Sequence, residues 1–166
     1  MIRRLLMMSC ALTMPLAARA YQQPTVKMEP PQLQGSRPIE KQTETAVVRD
    51  YLESWNSLQT ALDQNQVAVL DANFVGTARD KLANTIEEQA KLGINTRYHA
   101  RSHDLQFVFY SPEGSSIELI DTVEYDEQVS DHGKVLTTKP MRERYVVVLT
   151  PSEVRWRVRI FQSDPQ

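Results

Sequence analysis

Apolar residues recur every three or four positions between Thr43 and Asp63, which indicates a helix of about five turns with one buried face. This face carries Val48, Tyr51, Leu52, Trp55, Leu58 and Leu62. A shorter helical segment is predicted from Asn65 to about Asp71, with Phe74 as an apolar anchor in the turn that follows. Two helices that bury one face each need a further layer to pack against.

A third helix is predicted to begin at Thr77 and to end at Gly93. The run from Thr77 to Asp80 resembles a capping box, in which the threonine side chain accepts a hydrogen bond from a free backbone amide. Gly93 permits the left-handed conformation that ends many helices. The buried face of this helix carries Leu82, Ile86 and Ala90.

After Gly93 the pattern changes to the alternation that is typical of strands. Four strands are predicted, at 98–110, 117–125, 141–149 and 154–160. The segments between them are the turn Ser111–Gly114, the polar loop Gln128–Pro140 and the turn Thr150–Glu153. The last strand alternates without interruption, so we expect Val154, Trp156, Val158 and Ile160 to face the core and Arg155, Arg157 and Arg159 to face solvent.

Helices followed by strands with hairpin-compatible turns imply a segregated α+β domain. We expect the N-terminal helices to pack on one face of a curved, four-stranded antiparallel sheet, within one domain of residues 43–163. The preceding stretch, 21–42, contains four prolines and few large apolar residues. Because such a stretch buries too little surface to offset its ordering entropy, it is predicted to be a disordered linker.

The first 20 residues are typical of a cleavable signal peptide. Arg3 and Arg4 precede an apolar run of about a dozen residues, shorter than the roughly 20 that a membrane span needs, and Ala18-Arg19-Ala20 suits signal peptidase. We predict cleavage near Ala20, export to the periplasm or beyond, and no transmembrane span in the mature chain. Acylation at Cys10 is the alternative, and it would tether the protein to a membrane.

Composition narrows the chemistry of the mature chain. Cys10 is the only cysteine, so cleavage leaves no thiol for catalysis or disulfides. The lost segment also contains Arg3, Arg4 and Arg19, which takes the formal charge from −2 to −5. A mildly acidic domain disfavours a broad nucleic-acid-binding surface.

Several short runs carry a resemblance to a known fold. They are the helix end Ala90-Lys91-Leu92-Gly93, Tyr98, the turn Ser111–Gly114, Thr122-Val123-Glu124, and the closing Val154-Arg155-Trp156-Arg157-Val158. With them, the stretch 78–162 is similar to the intermembrane-space domain of plastid and cyanobacterial division proteins, and the whole domain resembles the nuclear transport factor 2-like cone shared with ketosteroid isomerase. The resemblance implies a non-enzymatic docking module. The chain lacks that family's J-domain and membrane span, so a role in division is not implied.

Asp121 is the candidate catalytic residue. Strict alternation places it on the face of Ile117, Leu119, Val123 and Tyr125, and a buried carboxylate is a stronger base than an exposed one. Tyr98, Tyr125 and Tyr145 are candidate hydrogen-bond donors nearby. Two alternatives remain: a bulge at Leu119-Ile120 that turns Asp121 outward, or an inward Asp121 paired with an arginine.

The histidines and arginines offer weaker candidates. His99 and His103 have a metal-like spacing only on a helix, and here they fall in a predicted strand, so no metal site and no cofactor is predicted. His132 is expected to be solvated. A basic stripe for docking a partner would consist of Arg142, Arg144, Arg155, Arg157 and Arg159. Alternatively these arginines pair with Glu118, Glu124 and Glu153 across the strands.

Two functions of different class remain. The first is an exported, non-catalytic module that binds a protein partner or a small apolar ligand, with a homodimer through the sheet as a further option. The second is a small enzyme of the isomerase or dehydratase type that uses a carboxylate in a pocket. The sequence contains no phosphate-binding loop and no nucleophile elbow, so we favour binding over catalysis.

Overall fold

The computed structural model describes residues 23–35 and 37–164, and the predicted signal peptide lies outside them. The elements in chain order are strand β1 (Thr25–Met28), helix α1 (Lys41–Gln64), a 3₁₀ helix (Val67–Ala72), helix α2 (Gly76–Lys91), and strands β2 (Ile94–Tyr110), β3 (Ile117–Asp131), β4 (Lys134–Pro151) and β5 (Trp156–Ser163). The sheet has the order β1-β2-β3-β4-β5, with β1 parallel to β2 and every other pair antiparallel. The predicted α+β class is confirmed, with five strands in place of four.

The core lies between the helices and one face of the sheet. On the helical side, α1 buries Tyr51, Trp55 and Leu58, and Phe74 follows the 3₁₀ helix as the predicted anchor. On the sheet side, β3 alternates strictly between buried and half-buried positions from Ile117 to Tyr125. Because the side-chain period of a strand is two, this face presents to α1 an apolar surface that only Asp121 interrupts between Ile117 and Tyr125.

The segment predicted to be a disordered linker is ordered over much of its length. Residues 25–28 pair with 102–105 of β2, and the backbone amides of Gln32 and Gln34 donate to Phe107 and Val108. Leu33 and Ile39 pack against the core. Composition did not reveal this strand because its pairing uses backbone groups, and all four residues of β1 remain exposed.

The predicted loop 128–140 is instead the distal half of a long hairpin. Strand β3 continues to Asp131, and β4 begins at Lys134. His132 and Gly133 both have positive φ, at 45° and 81°, which is the geometry of a two-residue hairpin turn that matches the strand twist. The polar side chains of this segment are exposed or half buried, which is why they lack the signature of a core strand.

Two local expectations in β5 and α2 are wrong. Val154 is 80 % exposed and precedes the strand, and a bulge at Arg159 turns Ile160 outward while Phe161 packs on the core. Helix α2 begins at Gly76 without a side-chain cap. Its start is fixed instead by β5, because the amide of Val75 donates to the carbonyl of Val158.

No helix within the described parts of the chain is both long and apolar enough to cross a membrane.

Candidate functional site

Asp121 points into the core and has no solvent exposure. It lies opposite Leu105 on one side and Tyr145 on the other, and β3 has no register shift at Leu119-Ile120. The nearest irregularity lies in β2, between Phe107 and Phe109. The bulge that would have turned Asp121 outward is therefore absent from β3, and the irregularity in β2 leaves Asp121 pointing inward.

Four buried side chains form a chain of hydrogen bonds around Asp121. The Trp55 indole donates to the Tyr51 hydroxyl at 2.8 Å, the Tyr51 hydroxyl donates to Asp121 Oδ2 at 2.7 Å, and His103 Nδ1 lies 2.8 Å from the same oxygen. We call these four residues the cleft network. They come from α1, β2 and β3, so the network joins the helix layer to the sheet.

The direction of these bonds follows from the groups themselves. An indole N–H only donates, so the Tyr51 oxygen accepts from Trp55 and its single hydrogen goes to Asp121. Burial, reinforced by the negative charge of Asp121, raises the pKa of Tyr51 well above its usual value, which keeps the hydroxyl protonated. A carboxylate oxygen only accepts, so His103 donates from Nδ1.

Two atoms of the cleft network lack a hydrogen-bond partner among the described residues. They are His103 Nε2 and Asp121 Oδ1, both buried. A buried polar atom without a partner costs about 1–3 kcal/mol, so a native protein seldom leaves two of them in one cluster. The expected arginine partner of Asp121 is absent from the cluster, where His103 takes its place.

A cleft of about 750 Å³ reaches His103 from the surface. Helix α1 contributes Leu52 and Trp55 to its wall, and β2 contributes His99 and His103. The segment 23–26, which includes the first half of β1, closes the third side. The cleft thus depends on the strand that composition alone assigned to a linker.

Aromatic rings fill the interior beside this cleft. Trp55 is within 6.5 Å of Tyr98, Tyr125, Tyr145 and Phe161, measured between ring centroids. Burial raises the pKa of Tyr98 and of Tyr145. The three tyrosines predicted as donors to Asp121 therefore form this aromatic wall, while the donors in the structure are Tyr51 and His103.

Tyr51 and His103 were not identified as site residues from the sequence. Tyr51 falls on the apolar stripe of α1, where a tyrosine is expected to be a core residue. His103 was considered only together with His99, as a pair of metal ligands. The available signal was the inward alternation of β2, which buries His103, Leu105 and Phe107. His99 and His103 share the cleft, and in the described residues no three His, Cys, Asp or Glu side chains cluster as metal ligands.

Four of the five arginines of the predicted basic stripe are divided between two places. Arg142 lies 3.9 Å from Glu124, and Arg144 pairs with Asp164. Arg155 donates to the Asn73 side chain, and Arg157 donates to the carbonyls of Asp71 and Phe74. Arg157 lies opposite Thr150 on β4, and Thr150 is six residues from Arg144 along that strand. Because a strand rises by about 3.4 Å per residue, the positions of Arg144 and Arg157 are about 20 Å apart.

The remaining candidates lie at the surface. The aliphatic part of Arg159 lies beside the start of α2. Its Cγ is 3.7 Å from the position that a Cβ atom on Gly76 would occupy. His132 is exposed at the hairpin turn, where its Nδ1 is 2.5 Å from Asp131. Neither of these side chains lies at the cleft.

Comparison with known proteins identifies the fold. The intermembrane-space region of the chloroplast protein ARC6 is 15% identical, with a TM-score of 0.64 over 78% of this chain and all of that one. A putative scytalone dehydratase from Novosphingobium aromaticivorans is 14% identical, with a TM-score of 0.51 over 76% of this chain and 89% of that one. The Kfla4162 protein from Kribbella flavida is 7% identical, with a TM-score of 0.51 over 72% of this chain and 90% of that one.

These likenesses show that the chain has the nuclear transport factor 2-like fold predicted from its sequence. No protein-family model matches the chain, and no curated protein matches it. The structural neighbours include the intermembrane-space region of a chloroplast protein and a putative dehydratase. At these identities the likeness shows the fold alone, so function has to be argued from the site.

Proposed function

We propose that this domain binds a small molecule with an apolar body in the cleft between α1, β2 and the segment 23–26. The observation that carries the proposal is the cleft itself, about 750 Å³ in volume, with Leu52, Trp55 and the buried His103 among its lining residues. The lining also contains polar side chains, among them Asn56, Gln59 and Arg101, so the cleft offers a ligand both apolar and hydrogen-bonding groups.

The two tryptophans provide the test. Trp55 lines the cleft, whereas Trp156 lies at the start of β5. In the ¹⁵N-labelled mature protein, we expect 2-methylnaphthalene to shift the indole cross-peak of Trp55 and to leave that of Trp156 in place. Unchanged positions of Trp55 and of the backbone amides 99–103 at saturating probe would refute binding in the cleft.

A second candidate, a lyase or isomerase, is supported by the Asp121–His103 pair. A histidine whose Nδ1 is held by a carboxylate can remove a proton through Nε2. In a dehydration, His103 would take the proton α to a carbonyl, the bond from the β carbon to its hydroxyl would break, and the imidazolium would return its proton to the departing oxygen, which gives an enone and water. Turnover of 4-hydroxy-4-phenyl-2-butanone, followed by enone absorbance and abolished in His103→Asn, would support it, and no turnover above the uncatalysed rate would reject it for this substrate class.

We also propose that the domain works outside the cytoplasm, on the basis of the segment 1–20. Intact-mass measurement of the protein from a periplasmic fraction should give a chain that begins at Tyr21. A mass that includes a diacylglycerol, lost in Cys10→Ala, would favour the tethered alternative.

A further inference from the structure

We infer that the ligand of the cleft carries a hydroxyl group that donates to Nε2 of His103. The inference rests on the proposed binding in the cleft and specifies the chemistry that the site selects. It starts from one atom, a ring nitrogen that is buried and has no partner within the described residues.

The cleft network determines what this nitrogen can do. Trp55 donates to Tyr51, Tyr51 donates to Asp121, and His103 donates to the same carboxylate oxygen through Nδ1. In the neutral ring, a proton on Nδ1 leaves Nε2 with a lone pair and no hydrogen. The network therefore holds His103 in the tautomer whose free nitrogen is an acceptor.

The surroundings of His103 supply no donor for that lone pair. The Trp55 ring packs against it at 5.2 Å, and the Tyr51 ring lies at 6.4 Å, while the polar hydrogens of both residues are already engaged. In the register of β1 and β2, Val26 lies opposite His103. The open space next to this ring is the cleft, which His103 lines, although Nε2 itself is covered in the unliganded protein.

This arrangement discriminates between ligands of the same shape. An apolar ligand that fills the inner end of the cleft leaves Nε2 permanently without a donor, whereas a ligand hydroxyl at the same place satisfies it. Sites with a buried polar group discriminate most strongly against the analogue that lacks the matching group. A trapped water offers the same O–H chemistry, and it is the alternative occupant that the experiment must separate.

Three probes of similar size make the test. 2-Naphthol donates and accepts, 2-methoxynaphthalene only accepts, and 2-methylnaphthalene does neither. We expect 2-naphthol to bind the mature protein about tenfold more tightly than either of the others, measured by titration of the Trp55 indole cross-peak. The readout is the ratio of the dissociation constants. A change in the shape of the cleft affects the binding of all three probes together and therefore leaves this ratio unchanged.

Matched variants locate the effect. Asparagine retains an N–H near the position of Nδ1 and has no atom at the position of Nε2, so His103→Asn should reduce the ratio to about one. His132→Asn makes the same substitution at the exposed hairpin turn, away from the cleft, and should leave the ratio unchanged. In the wild-type protein, the ¹⁵N resonance of His103 Nε2 should move with 2-naphthol and stay in place with 2-methylnaphthalene, which tests the contact even if His103→Asn does not fold.

The outcomes are distinct. If 2-naphthol and 2-methylnaphthalene bind equally, a resident water satisfies Nε2, and the inference is wrong while binding in the cleft stands. Tighter binding of 2-methoxynaphthalene than of 2-methylnaphthalene would mean that Nε2 donates, which also overturns it. If no probe binds, the proposed function fails and the inference fails with it.

Discussion

Two buried polar clusters join α1 to the sheet, and they differ in how completely they are satisfied. In the first, the cleft network, Nε2 of His103 and Oδ1 of Asp121 have no partner among the described residues. The second lies where the segment after the 3₁₀ helix meets β5. There Asp50 accepts from the Trp156 amide at 2.8 Å, and Asn73 accepts from Arg155 and donates to Ser57.

We call the residues Asp50, Ser57, Asn73 and Arg155 the β5 network. Its partners are protein groups that fix where β5 begins, so it has a complete structural explanation. The cleft network also crosses between layers, but it ends on an unpartnered buried nitrogen of His103, a residue that lines the cleft. The comparison teaches that burial of polar groups alone does not mark a functional site, whereas an unsatisfied atom that borders a cleft does.

The largest effect is expected from removing the acceptor of the cleft network. Asp121→Ala leaves the Tyr51 hydroxyl and the His103 N–H without a partner and creates a cavity, so we expect a loss of about 3 kcal/mol in the free energy of unfolding. Urea denaturation followed by far-UV circular dichroism measures it. Glu124→Ala, on the same strand and half exposed, is the control and should change stability by less than about 0.5 kcal/mol.

Asp121→Asn separates the two contributions to that loss. The amide oxygen can still accept from both donors, so most of the stability should return, to within about 1 kcal/mol of the wild type. A loss as large as that of the alanine variant would mean that the negative charge, and not the acceptor, holds the cluster together.

A smaller loss is expected in the β5 network. Asp50→Ala leaves the buried amide of Trp156 without an acceptor, at a cost of about 2 kcal/mol. Thermal melting measures it, with Glu53→Ala on the exposed side of α1 as the control. Because none of the four residues of the β5 network lines the cleft, the affinity for 2-naphthol should stay constant, and a change of more than about threefold would contradict the separation of the two clusters.

Much of the fold could be predicted because its elements carry a strong period. The apolar stripe of α1 and the alternation of β3 predicted a helix layer packed on a sheet. The same alternation predicted that Asp121 points inward, as it does in the structure. Elements held by backbone groups could not be predicted in this way. β1 is paired through its backbone, and all of its side chains are exposed. The bulge at Arg159 moves Ile160 to the outer face of the sheet, and nothing in the order of apolar and polar residues indicates this bulge.

The site was predicted in part, for a related reason. Asp121 alone is visible in a strand pattern, because a charged residue at an inward position conflicts with its neighbours. Its partners come from residues 51 and 103, which are 70 and 18 positions away in the chain. A tyrosine on an apolar stripe does not conflict with the pattern, so only the packing of α1 on the sheet brings the cluster together.

The aromatic wall adds a prediction for alkaline pH. Burial raises the pKa of Tyr98 in the folded protein above the value of about 10 in the unfolded chain. The neutral tyrosine therefore contributes stability that is fully present below about pH 10 and is lost as the pH rises above it. We expect the free energy of unfolding to fall above this pH, and to fall less steeply in Tyr98→Phe. Equal slopes in the two proteins would assign the loss to other groups.

The smallest effect is expected at the surface arginine Arg142. Its contact with Glu124 is long, at 3.9 Å, and both side chains are largely exposed, so Arg142→Ala should change stability by less than about 0.5 kcal/mol. Arg155→Ala removes a donor from the β5 network and should cost about 1 kcal/mol, measured in the same urea experiment. If the two losses are equal, the β5 network adds nothing beyond a surface pair. If they differ as expected, Arg142 is the arginine at which charge reversal tests partner docking without loosening the fold.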